Sequence, residues 1–176
     1  LVERDARDAP CRTHEIPLGQ AIAVEELPLV EGVPAESYEA LALRYGHAAH
    51  DVLALAAERG ELAQPIVAGL PDLLAEVALA ARREQARSIG DALFRRTRLG
   101  LLAARELVAA ASPAGLAGEQ GPVQRVGDVL ARELGWSSER LDAELALFAR
   151  EARAEGIEAG DHSEAAAAET PSVQAS

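Results

Sequence analysis

"DLLAEVALAARREQAR", residues 72–87, carries the clearest helical signal in the chain. It contains neither proline nor glycine, and Val77 is its one β-branched residue. Leu73, Leu74, Val77 and Ala81 recur at the spacing that puts side chains on one side of a 3.6-residue helix. Alanine and leucine are also strong helix formers. The stretch therefore predicts a helix, and the rest of the chain can be read outward from it.

Downstream, "GDALFRRTRLGLL" spans residues 90–102, with Ser88 and Asp91 placed three apart as in a capping box. Ile89, Ala92, Leu93 and Leu99 share a side at roughly 100° per residue. Arg96 falls among them. Arg98 falls opposite, towards water. Arg95 follows Asp91 by four, a favourable ion-pair spacing. By the same count Glu84 lies on the apolar side of the preceding helix. These two consecutive helices each carry one inward charge, of opposite sign. The expectation is a structural pair, Glu84 with Arg96, buried across the helix contact and joined by two parallel hydrogen bonds. The alternative is that Arg96 faces another domain and holds a carboxylate or phosphate there.

Upstream, "PAESYEALALRYG" (34–46) places Tyr38, Leu41 and Tyr45 at helical spacing, with Gly46 as a stop. "HAAHDVLALAAERG" (47–60) repeats the pattern with Val52, Leu55 and Ala56. "ELAQPIVAGLP" (61–71) reads as a loop, as does "SPAGLAGEQG" (112–121). "PVQRVGDVLAREL" (122–134) aligns Val123, Val126, Leu130 and Leu134 behind Pro122 at the first helical position. Gly135 should close that helix, with Trp136 folding back on Leu130. Ser137 or Ser138 should cap a last helix with the face Leu141, Leu145 and Phe148. The predicted fold is all-α, a compact domain of about five to seven short helices over residues 36–155. Four prolines and two glycines make residues 1–35 an irregular connector rather than core. Residues 156–176 hold almost no bulky apolar side chain and are expected to be a disordered acidic tail.

Composition narrows the function. The chain has 176 residues and a net charge of −12. That charge argues against a general nucleic-acid binder, whose affinity rests on neutralising phosphates. All 17 basic residues are arginine, which excludes chemistry needing a lysine amine. Cys11 is the single cysteine, so no intrachain disulfide forms, in keeping with a reducing compartment. No apolar run reaches the length of a membrane span, and no signal peptide opens the chain. The absence of any methionine, even at position 1, suggests a piece of something longer or a chain whose start was trimmed. His47 and His50 stand three apart, but His14 and His162 lie elsewhere in the sequence, so a metal site lacks its third and fourth ligands. Cys11 and His14 have no orienting third group. Dinucleotide, P-loop, nucleophile-elbow and paired-cysteine motifs are all missing.

The ordered series "LRYGHAAHDVLALA", "LAQPI", "LLAEVALAARREQARSIGDALFRRTRLGLL" and "VGDVLARELGWSSERLDAELALFAREA" resembles the C-terminal region of FAD-dependent (aerobic) glycerol-3-phosphate dehydrogenases and the related α-glycerophosphate oxidases. Tyr45 and Gly46, Glu76, Glu84, Asp91, Arg95 to Arg98, and Leu134 to Trp136 carry the likeness, over about residues 10–155. "CRTHEIPLG" is similar to the connector after the catalytic part of that family. The resemblance implies an enzyme oxidising sn-glycerol 3-phosphate to dihydroxyacetone phosphate, with electrons passing through FAD to quinone, or to oxygen in the oxidases. It implies that flavin and substrate are held by an N-terminal part to which this domain packs. No catalytic, cofactor-binding or metal-binding residue is expected in this chain, and no FAD bound by it alone. Glu84, Arg95 and Arg96 are the candidate structural or docking residues. The expected partner is an N-terminal FAD-binding domain, with the whole protein cytoplasmic and peripheral at the membrane. The alternative is a stand-alone helical module that docks to a separate flavoprotein chain.

Overall fold

The computed structural model describes residues 21–109 and 120–157. The first connector residues, Cys11, His14, the loop at 110–119 and the expected tail from 158 onward lie outside them. The described residues form seven α-helices and no strand. These are α1 (Ala35–Tyr45), α2 (Ala49–Glu58), α3 (Leu74–Arg83), α4 (Leu99–Leu102), α5 (Ala104–Ala109), α6 (Pro122–Leu134) and α7 (Ser138–Ala154). No helix among them is long and apolar enough to cross a membrane.

The stretch that predicts a helix forms the centre of the domain. α3 is buried along Leu74 to Ala81 without interruption, which exceeds the single stripe its spacing suggests. α2 and α6 pack against it. The repeated alanines, Ala75, Ala78, Ala80 and Ala81, give it a slim cross-section that neighbouring backbones can approach. A helix clad on all sides needs apolar or alanine residues all round, and Leu74 to Ala81 supply them with one exception, Glu76, before the exposed Arg82 and Arg83 end the helix.

The other helices follow their sequence signals. Gly46 ends α1 at φ 53°. Gly135 ends α6 at φ 67°, and the Trp136 N–H donates to the Ala131 carbonyl at 2.9 Å, a Schellman closure. Ser137 caps α7, accepting from the Arg140 N–H at 3.2 Å. Val123, Val126, Val129 and Leu130 of α6 enter the core. α7 lies close on α6 because Gly127 has no side chain: a Cβ there would stand 2.7 Å from Leu141.

Three boundaries differ from the sequence reading. Residues 21–34 are not only a connector. They form a 3₁₀ turn at Val24–Glu26, Leu27 enters the core, and the Val30 N–H donates to the Tyr38 hydroxyl at 2.8 Å. A single leucine behind a short turn leaves no periodicity to read. Leading into 61–71, residues Gly60–Ala63 form another 3₁₀ turn. The loop is tied to α3 by an isolated bridge of Pro65 with Leu73. Gly156 and Ile157 belong to the folded domain. Gly156 takes φ 77° and the Ile157 N–H closes on the Ala152 carbonyl at 2.8 Å.

Candidate functional site

Two groups of charge lie at opposite ends of α3. The first is a buried carboxylate clamp where α3 begins. The Glu76 carboxylate turns back to accept the Leu73 N–H at 2.7 Å, satisfying an orphan donor of the first turn. Only 1% of Glu76 is exposed. Arg44, in the last turn of α1, reaches across and pairs with both Asp72 and Glu76. Its Nη2 stands 3.2 Å from Glu76 Oε1, which makes no well-formed hydrogen bond. Half-buried Tyr45 stands beside the same carboxylate. Burial pushes Glu76 up to about 7, against the pull of Arg44 and the Leu73 N–H. Burial also raises the Tyr45 hydroxyl, and the carboxylates of Glu76 and Glu84 add to that. Arg44 is held protonated, because Glu76 and Asp72 outweigh the cost of its own burial.

The second group follows the end of α3. α3 stops at Arg83, Gln85 takes φ 59°, and the Ala86 N–H closes on the Ala80 carbonyl at 3.0 Å. A new turn then opens on a reciprocal capping box. The Asp91 N–H donates to Ser88 Oγ at 3.0 Å, and the Ser88 N–H donates to Asp91 Oδ2 at 3.1 Å. Asp91 is held below the usual carboxylate range. Its partial burial is outweighed by the backbone at Arg87, the Ser88 contact and Arg95. Arg95 pairs with Asp91 one turn back.

From Asp91 to Arg96 the backbone is a π-helix, and the Thr97 N–H reaches the Ala92 carbonyl at 3.0 Å. This corrects the expectation for Arg96. A wider turn moves the inward position one residue along, so Thr97 is buried and Arg96 is 43% exposed. Glu84 is likewise not inside α3 but just past its end, half-buried. The two residues do meet, though not as a buried pair with two parallel hydrogen bonds. Arg96 Nη2 donates to the Glu84 carbonyl at 2.6 Å, and its Nε stays 3.7 Å from the carboxylate. The last carbonyls of a helix lack intrahelical donors, so a guanidinium settles there readily. Arg98 is exposed, at φ 62°.

Sequence reasoning missed Arg44, Asp72 and the burial of Glu76. The available signal was Glu76 itself, three residues after Leu73, as the one charge in an otherwise apolar run from Leu73 to Ala81. It also missed Glu133, which Arg59 and Arg82 share, and Glu144, buried on α7 beside Arg140. Arg125 spans to the Pro65 and Ile66 carbonyls at 3.2 and 2.7 Å, pinning the 60s loop to α6. His47 and His50 meet edge to face, 5.8 Å apart. Among the described residues no three His, Cys, Asp or Glu are grouped to hold a metal. A flavin held in the dinucleotide-binding manner rests its pyrophosphate on a strand running into a glycine-rich helix start. The described residues offer no strand and so do not fit a flavin held in that manner.

Residues 11–141 match the family described as the C-terminal domain of alpha-glycerophosphate oxidase. The chain is also 33% identical over 132 residues to a glycerol-3-phosphate dehydrogenase of Mycobacterium leprae, a match that takes in 75% of this chain and 20% of that relative. The chain thus spans about a fifth of the length of the relative it matches. No solved structure matches it. With an all-α fold and a match over most of its length, the chain belongs to the family of the C-terminal domain of alpha-glycerophosphate oxidase.

Proposed function

We propose that this chain serves as the helical C-terminal domain of an FAD-dependent glycerol-3-phosphate dehydrogenase. The whole protein would oxidise sn-glycerol 3-phosphate to dihydroxyacetone phosphate and pass electrons through FAD to a quinone, at the cytoplasmic side of the membrane. Flavin and substrate are held by an N-terminal part, and this domain contributes a rigid helical body packed against it. The observation that carries the reading is the match of residues 11–141 to a C-terminal domain family, together with a relative of which this chain spans 20%.

The test compares two preparations, this chain and the full-length product of its reading frame. Each is purified with excess FAD, desalted and scanned in the visible range. Each is then assayed for dye reduction dependent on glycerol 3-phosphate. The chain alone is expected to elute without flavin and without activity, and the full-length product with both. Near-stoichiometric flavin retained by the chain alone overturns the reading, as does a full-length product that leaves the dye oxidised.

A further inference from the structure

The corner at residues 94–102 is built to present rather than to bury. Phe94 lies over Gly100, where any side chain would collide with its ring, and stacks on Phe148 at 5.3 Å. The π turn is thereby locked to α4. Arg98, at φ 62°, begins α4, and its carbonyl accepts the Leu101 and Leu102 N–H groups at 3.0 and 3.1 Å. On this rigid frame Leu101 is 64% exposed and Leu102 73% exposed, next to the exposed arginines 95, 96 and 98. Two adjacent leucines held by a braced corner, beside a non-glycine residue in the left-handed region, are left largely uncovered by the described residues. Strain of that kind clusters at functional sites, and arginine is enriched at protein interfaces.

Charge identifies the occupant. Of the six arginines in residues 82–98, Arg82, Arg83, Arg95 and Arg96 are paired with acids of this chain, which leaves Arg87 and Arg98 with no acid partner among the described residues, in a chain of net charge −12. The complement is a protein surface with apolar pockets and carboxylates. An anionic bilayer fits less well. Two leucines give little insertion energy, Arg95 and Arg96 are already engaged by Asp91 and the Glu84 carbonyl, and the remaining charge of the chain is repelled. Resting on the reading above, we propose that Arg98, Leu101 and Leu102 form the contact surface for the flavin-carrying part of the family protein.

The test is thiol accessibility. In a Cys11→Ser background, Leu101→Cys and, separately, Leu43→Cys are introduced. Leu43 is the comparison site because it is 86% exposed and lies away from this corner in sequence, on α1. Maleimide labelling rates are measured in this chain and in the full-length product, or with the family's flavoprotein part added in trans where the chain is encoded by itself. Leu101→Cys should label at least tenfold more slowly in the larger assembly, while Leu43→Cys is unchanged. Leu102→Cys repeats the measurement if the first variant misfolds. Equal rates for Leu101→Cys in both settings overturn the proposal, as does protection of Leu43→Cys alone. So does protection that appears only on adding phosphatidylglycerol vesicles, which would assign the corner to lipid. Flavin content and dye reduction of the unsubstituted full-length product are read separately, so failure of the functional reading is distinguishable from failure of the contact surface.

Discussion

The clamp at the start of α3 and the arginine turn after its end use the same residue types to different ends. In both, arginine meets carboxylate or carbonyl. At the clamp, water is excluded from Glu76, Asp72 lies nearly buried beside it, and a single guanidinium serves both acids. At the turn, the guanidinium groups of Arg95 and Arg96 are largely in water. Exclusion of water makes the first set costly to disrupt, and exposure makes the second nearly free to change. The difference separates charge used to hold the domain together from charge available for contact with something else.

The most severe way to break the comparison is Arg44→Ala. Removing the one cation leaves two buried carboxylates facing each other, at an expected cost of roughly 3–5 kcal/mol in urea unfolding at pH 8. A loss below about 1 kcal/mol would place the clamp in the same class as the arginine turn.

Glu76→Gln sharpens it. The folded carboxyl titrates at about 7, above its ordinary value. A raised acid binds its proton more tightly in the folded state, so the stability it contributes is complete in acid and is lost as pH rises through about 7. The unsubstituted chain should therefore lose roughly 2–3 kcal/mol between pH 5 and pH 8 through this group. Glu76→Gln should flatten that slope, as read by urea midpoints across the range. A slope that survives the substitution would show that another group carries it.

At the turn the expected effects are smaller. Arg98→Gly relieves the left-handed backbone and should stabilise this chain by about 1 kcal/mol, seen as a rise in melting temperature. Arg96→Ala removes one exposed hydrogen bond to the Glu84 carbonyl and should cost only about 0.5 kcal/mol. Adding Glu84→Gln should change that little, since the carboxylate is not the main partner. A loss for Arg96→Ala as large as that at Arg44 would erase the contrast between the two ends.

How far the sequence showed this depended on whether a feature is periodic or long-range. Helices α1, α2, α3, α6 and α7 were legible because Leu41, Val52, Val77, Leu130 and Phe148 recur at helical spacing, and because Gly46, Gly135 and Ser137 mark the ends. Arg95 with Asp91 was legible as a four-residue step. Arg96 was misplaced because the count assumed 3.6 residues per turn, and no residue type announces a π-helix. Arg44 with Asp72 was beyond reach, because 28 positions separate them and only the packing of α1 beside the start of α3 brings them together. The burial of Glu76 was out of reach because a single stripe was expected of α3, whereas Leu74 to Ala81 are buried at every position.

That all-round cladding has a kinetic meaning. The amide hydrogens of Val77 to Ala81 lie in a stretch that is buried at every position from Leu74 to Ala81, so fraying at the exposed end, Arg82 and Arg83, does not bare them. Deuterium can enter there only when α2 and α6 both come away, that is, when the whole domain opens. Those amides therefore serve as an internal clock of global unfolding, and the rate at which they exchange measures how often this domain ceases to exist as a folded body.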